Sequence, residues 1–83
     1  YQMRIKSTNN KNESLFILNN SMPKSVMCYG NNIGINYGNE IQIVQSNGWL
    51  IKRYTSEKEV KSLVLGEKIA GVVYKDRIEI INL

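Results

Sequence analysis

Histidine is absent from the chain, and cysteine occurs once, at Cys28. Without histidine the chain lacks the usual general base near neutral pH and the commonest metal ligand. A Cys–His nucleophilic pair is therefore excluded. A lone cysteine also excludes an intrachain disulfide. Set between Met27 and Tyr29, Cys28 reads as a small buried hydrophobe and not as a nucleophile. Long apolar runs are missing as well. None approaches the roughly 18 residues that a membrane-spanning helix needs, and no basic-then-apolar signal peptide is visible. The chain begins at Tyr1 and not at Met, which reads as a piece of a longer protein with any membrane anchor or export signal outside it. No repeat of fixed period and no block of like charges occurs.

What is present suits a single small domain over residues 1–83. Hydrophobic residues make up 42% and charged residues 22%, an ordinary balance for a folded chain. A domain of this size buries only about 60% of its unfolded surface, so its core has to be efficient. Eleven Lys and Arg against seven Asp and Glu give a net charge of +4, which favours acidic partners.

Strand patterns dominate. Leu15 to Leu18 and Val26 to Tyr29 are short apolar runs, the first bounded by Asn, Ser and Pro23. Ile41 and Ile43, Leu50 to Tyr54, Val72 to Tyr74 and Ile78 to Ile81 add alternation or β-branched enrichment. Turn signals separate them: Asn9-Asn10, Asn19-Asn20-Ser21, Gly30-Asn31-Asn32, Gly38-Asn39, Ser46-Asn47-Gly48 and Lys75-Asp76. Asn47-Gly48 predicts a type I′ hairpin, or a slightly longer loop if Gln45 and Ser46 join it. Ser56 and Glu59 resemble a capping box, with Val60, Leu63 and Val64 on one helical face. The stretch is short and Gly66 ends it, so Ser56 to Leu65 is expected to be a loop running into a strand. Trp49 is expected to pack in the core or to line a hairpin. The expected fold class is all-β, a small barrel-sandwich or β-sandwich of short antiparallel strands.

From Cys28 onward an ordered set of short motifs stands out. Tyr29-Gly30-Asn31-Asn32 is followed by Tyr37-Gly38-Asn39-Glu40-Ile41-Gln42-Ile43. Then come Ser46-Asn47-Gly48-Trp49 with Tyr54, and Val64-Leu65-Gly66-Glu67-Lys68-Ile69-Ala70-Gly71-Val72. In order and spacing this set resembles the C-terminal half of a LytM-type domain, the fold of bacterial peptidoglycan endopeptidases, clearest over residues 28–82. The resemblance implies an all-β domain and, in active members, a zinc ion held by histidines and an aspartate.

The departures are at the metal. Where the family reads HLHFEI, this chain reads Lys75-Asp76-Arg77-Ile78-Glu79-Ile80, with Lys75 and Arg77 at the two histidine positions. Where the family keeps the histidine of YAHL, the chain has Ser56. A guanidinium has no lone pair to offer a metal and brings a permanent positive charge. Ser14 to Ile17 is the one candidate counterpart of the family's first metal-bearing strand, and no histidine or aspartate equivalent is found there.

The resemblance therefore implies a degenerate, non-catalytic domain without metal or cofactor. Such domains bind a cell-wall amidase or dock in an envelope or sporulation complex, and peptidoglycan is a second candidate ligand. Localisation is expected in the bacterial cell envelope. The expected partner-binding groove is lined by Tyr54, Ser56, Lys75 and Arg77, where two cations suit an acidic segment. The alternative is a small basic β-barrel that stacks Trp49, Tyr54 and Tyr74 on nucleic acid. Because the cations are dispersed, nucleic acid is not the expected partner.

Overall fold

A computed structural model describes residues 2–6, 13–17 and 22–83. The described elements are strands: β1 Gln2–Lys6, β2 Glu13–Ile17, β3 Ser25–Tyr29, β4 Asn32–Asn36, β5 Glu40–Gln45, β6 Leu50–Thr55, β7 Ser62–Leu65, β8 Ile69–Val73 and β9 Ile78–Asn82. β1 and β2 form a two-stranded antiparallel hairpin. β3 to β6 form a four-stranded antiparallel meander, and β7 to β9 a three-stranded one. These two sheets pack face to face as a small all-β sandwich, the expected fold class. The expected turns at Asn9-Asn10 and Asn19-Asn20-Ser21 lie outside the described residues.

Glycine sets the turns of the larger sheet. Between β3 and β4, Gly30 takes φ 59° at the first loop position, where a side chain would be strained. At the β5–β6 turn the type I′ expectation is corrected, because only Gly48 has positive φ there, at 91°, and no described residue other than glycine does. Gly48 N–H donates to the Gln45 carbonyl, and Gln45 N–H donates to the Trp49 carbonyl, each at 2.8 Å. That pattern is the longer loop, a type I turn closed by a glycine bulge. Asn47 is spared the left-handed region, and its Oδ1 accepts from Trp49 N–H at 3.0 Å.

The two-residue period of the strands sorts the side chains into two clusters. Ile41 and Ile43 of β5, Leu63 and Leu65 of β7, and Ala70 and Val72 of β8 meet between the sheets with Val60 and Tyr74. Each fully buried aliphatic side chain there contributes about 1.5–3 kcal/mol of transfer free energy. Ile33, Ile35 and Val44 form the second cluster, on the opposite face of β4 and β5. Gly34 lets the sheets close: a Cβ there would lie 2.6 Å from Leu63 Cδ2. The Ser56–Leu65 segment is a loop that runs into β7, as its short apolar pattern suggests. Val60 anchors it in the core, donating its N–H to the Gly38 carbonyl at 2.7 Å.

Two expectations of burial are corrected. Trp49 is 71% exposed beside the β5–β6 turn, so it is not in the core and the hairpin position is the one it takes. Cys28 is exposed, since it lies on the edge strand β3 with its side chain on the face opposite Met27.

Buried Asn36 holds the β4–β5 turn to this loop. Its Oδ1 accepts from Gly38 N–H at 2.8 Å, and its Nδ2 donates to the Val60 carbonyl at 3.3 Å. Asn36→Ala is expected to cost about 1–3 kcal/mol, because it leaves a buried N–H and carbonyl without partners. Urea unfolding measures the change, and a cost near zero would mean that neither bond matters.

Candidate functional site

Polar side chains cross between β6 of one sheet and β9 of the other. Pairing with Ile41 and Ile43 turns Tyr54 and Lys52 inward, and pairing with Val72 turns Glu79 inward to meet them. Tyr54 OH donates to Glu79 Oε1 at 2.9 Å, and Lys52 Nζ donates to the Asn82 carbonyl at 3.1 Å.

Ser56, directly after β6, is buried beside Tyr74, which follows β8. Ser56 Oγ donates to the Lys58 carbonyl at 2.6 Å and accepts from the Lys58 N–H at 3.2 Å. Its single proton being used, it accepts the 2.9 Å bond from the Tyr74 hydroxyl. Over the Tyr74 ring stands the Arg77 guanidinium, 4.5 Å from the centroid, a cation–π contact. Arg77 is also 3.3 Å from Asp76 and 3.6 Å from Glu79.

Electrostatics follow from these contacts. The Tyr74 hydroxyl beside it, the bond to Glu79 and burial all push the Tyr54 phenol above its ordinary value. Glu79 is held below the usual carboxylate range by its bond from Tyr54, then by Tyr74, with the Arg77 charge adding to both. A carboxylate with a lowered folded pKa stabilises the fold above its unfolded pKa of about 4.3. That contribution is lost as pH falls through the lower folded value. Tyr54→Phe is expected to raise the Glu79 midpoint in an NMR titration and to bring acid unfolding to higher pH. An unmoved midpoint would show that Tyr54 does not hold this carboxylate.

Tyr74 also lines a cleft of ≈ 340 Å³ with Lys58, Glu59, Lys61, Lys75 and Asp76. Lys58 lies 3.9 Å from Asp76, and Glu59 is 2.7 Å from Lys24 outside the cleft. Lys61 and Lys75 make no ion pair among the described residues, so the cleft keeps an excess of positive charge.

Of the four expected groove residues, Tyr54, Ser56 and Arg77 gather around Tyr74, and Lys75 lies on the cleft. Ser56 is 7% exposed, so it secures the loop and offers little surface. Tyr74, Glu79, Lys58 and Lys61 are the site residues that the motif comparison did not single out. Glu79 had a signal, because it keeps the glutamate of the HLHFEI pattern; Lys58 and Lys61 reach the cleft through a loop that has no periodicity.

The set does not fit the zinc ion of the resembling family. Lys75 and Arg77 are cations that donate, and among the described residues no three His, Cys, Asp or Glu side chains gather to hold a metal. Comparison with family models, curated proteins and solved structures finds no match to this chain.

Proposed function

We propose that this chain is a non-catalytic, LytM-like binding module of bacterial envelope processes, and that its Tyr74 cleft receives an acidic segment of a protein partner. An amidase to be activated or a component of an envelope complex fits that role. The observation that carries the reading is that Lys61 and Lys75, with no ion pair among the described residues, stand on a cleft whose hydroxyl-bearing wall is already committed. Ser56 has no base beside it, and the Tyr54 phenol is held protonated, so neither supplies a nucleophile. A carboxylate entering the cleft would instead find ammonium groups able to make charge-assisted hydrogen bonds.

Calorimetry with an oligoglutamate peptide tests the cleft. Lys75→Ala is expected to weaken binding by about 3- to 10-fold, the loss of one charge-assisted contact. Arg77→Ala is expected to act less through charge, since Asp76 and Glu79 already engage it, and more by freeing the Tyr74 ring. Affinity unchanged in both variants would remove the cleft from the site. Salt-sensitive binding of single-stranded DNA in place of the peptide would favour the nucleic-acid reading. Release of soluble fragments from purified peptidoglycan on adding zinc would overturn the non-catalytic one.

A further inference from the structure

The outer face of β7–β9, away from the Tyr74 cleft, has no charged residue at any outward position, in a chain that is 22% charged. Val64, Ile69, Ile78 and Ile80 stand there 50%, 43%, 62% and 63% exposed. They are contiguous. A Cβ on Gly71, at the centre, would lie 2.7 Å from Val64 Cγ2, 3.8 Å from Ile78 Cγ2 and 3.9 Å from Ile80 Cδ1. An exposed apolar patch of this kind marks a contact surface more often than a solvated one.

The backbone of β9 adds direction to the patch. Leu83 N–H donates to the Lys68 carbonyl and Tyr74 N–H to the Arg77 carbonyl, which fixes the hydrogen-bonded pairs of the β8–β9 ladder. In an antiparallel ladder these alternate with pairs whose polar groups point away. Glu79 and Ile81 therefore turn theirs to β8, whereas Ile78, Ile80 and Asn82 turn theirs to the open edge. Among the described strands none pairs with that edge. Of the usual devices against edge pairing, Ile78–Asn82 has no Lys, Pro, Gly or bulge, and its one charged side chain, inward-turned Glu79, is already bonded to Tyr54. On the other sheet, edge strand β6 carries Lys52 and Arg53.

We infer that β9 pairs antiparallel with β9 of a second copy of this chain, joining two three-stranded sheets into one of six strands. Charge selects the occupant. A charged partner finds nothing to pair with on this face, and the one charge that reaches the edge is the Lys52 ammonium on the Asn82 carbonyl. Register supports the same choice. With Ile80 opposite its symmetry mate, Ile78 falls opposite Asn82, so the three outward-turned residues pair among themselves about a two-fold axis. The Asn82 carbonyl that accepts from Lys52 has a second lone pair for the new bond. The apolar side chains of both copies then share one face. The Tyr74 cleft is not part of the contact, so this inference stands or falls separately from the binding function.

Sedimentation of the full chain at increasing concentration, with amide exchange of the same samples, tests it. The expected result is a species of twice 9.5 kDa in which the Ile78 and Ile80 amides are protected. Ile80→Lys, which sets like charges opposite each other, is expected to raise the dimer Kd by at least about tenfold. Ile51→Lys on β6 is expected to leave it unchanged. A chain that stays monomeric at its solubility limit would overturn the inference. So would a dimer whose Ile78 and Ile80 amides exchange as freely as they do in a monomer, a readout that needs no variant.

Discussion

Replacing Ile41 with alanine is expected to destabilise the sandwich by about 2–5 kcal/mol, the range for truncating a fully buried isoleucine. Ile41 is 1% exposed and belongs to the cluster between the sheets, with Asn36 and Tyr54 opposite it on the neighbouring strands. Its removal takes away transfer free energy and leaves a cavity that both sheets border. In a domain whose whole stability is about 5–15 kcal/mol, such a loss is a large share. The melting temperature should fall on the order of 10–30 °C. Ile80→Ala, on the exposed outer face, should change monomer stability by no more than about 0.5 kcal/mol. Urea unfolding of the two variants below the concentration at which dimers form makes the comparison. Equal costs would mean that Ile41 is not in the shared core.

Gly34→Val is expected to be destabilising by about 1–3 kcal/mol, although strand propensity argues for the opposite sign. Valine suits a strand better than glycine by up to about 1 kcal/mol. Against this stands the contact between the sheets: a Cβ on Gly34 would meet Leu63 Cδ2 at 2.6 Å and Leu65 Cδ1 at 3.4 Å. Leu63 is itself buried, so it cannot swing into solvent to make room. The overpacking term is the larger, and the net effect is a loss. A second substitution isolates the cause: Leu63→Ala should recover part of the Gly34→Val cost, making the double variant more stable than the sum of the two losses predicts. Additive losses, or a stabilised Gly34→Val variant, would show that the two sheets do not meet at this glycine.

Gly34 also shows where pattern reading stops. Asn32-Ile33-Gly34-Ile35-Asn36 is flanked and interrupted by turn-forming residues, and its first residue was counted into the preceding turn. It is nevertheless an inner strand of the four-stranded sheet. Glycine is there for close approach to Leu63, and Asn36 is there for its two buried bonds, neither of which is encoded locally. Trp49 fails in the opposite direction. Its large apolar area predicted burial, yet its place just past the Gly48 turn leaves it 71% exposed. The candidate site divides in the same way. Tyr54, Ser56, Lys75 and Arg77 come from a motif comparison, whereas Glu79 joins Tyr54 and Tyr74 joins Ser56 through distances that only two packed sheets create.

By itself the sequence determined what is local. It excluded histidine-based chemistry and an internal disulfide, and it marked an all-β chain whose glycines set the turns of the larger sheet. The tertiary structure decided what depends on which strand lies over which. It made Ser56 a buried anchor instead of a groove wall, left Lys61 and Lys75 on a cleft, and put Ile78 and Ile80 on an edge that no described strand pairs. The physical reason is that alternation along a strand defines two faces but not which of them is covered. The cover comes from residues distant in the chain.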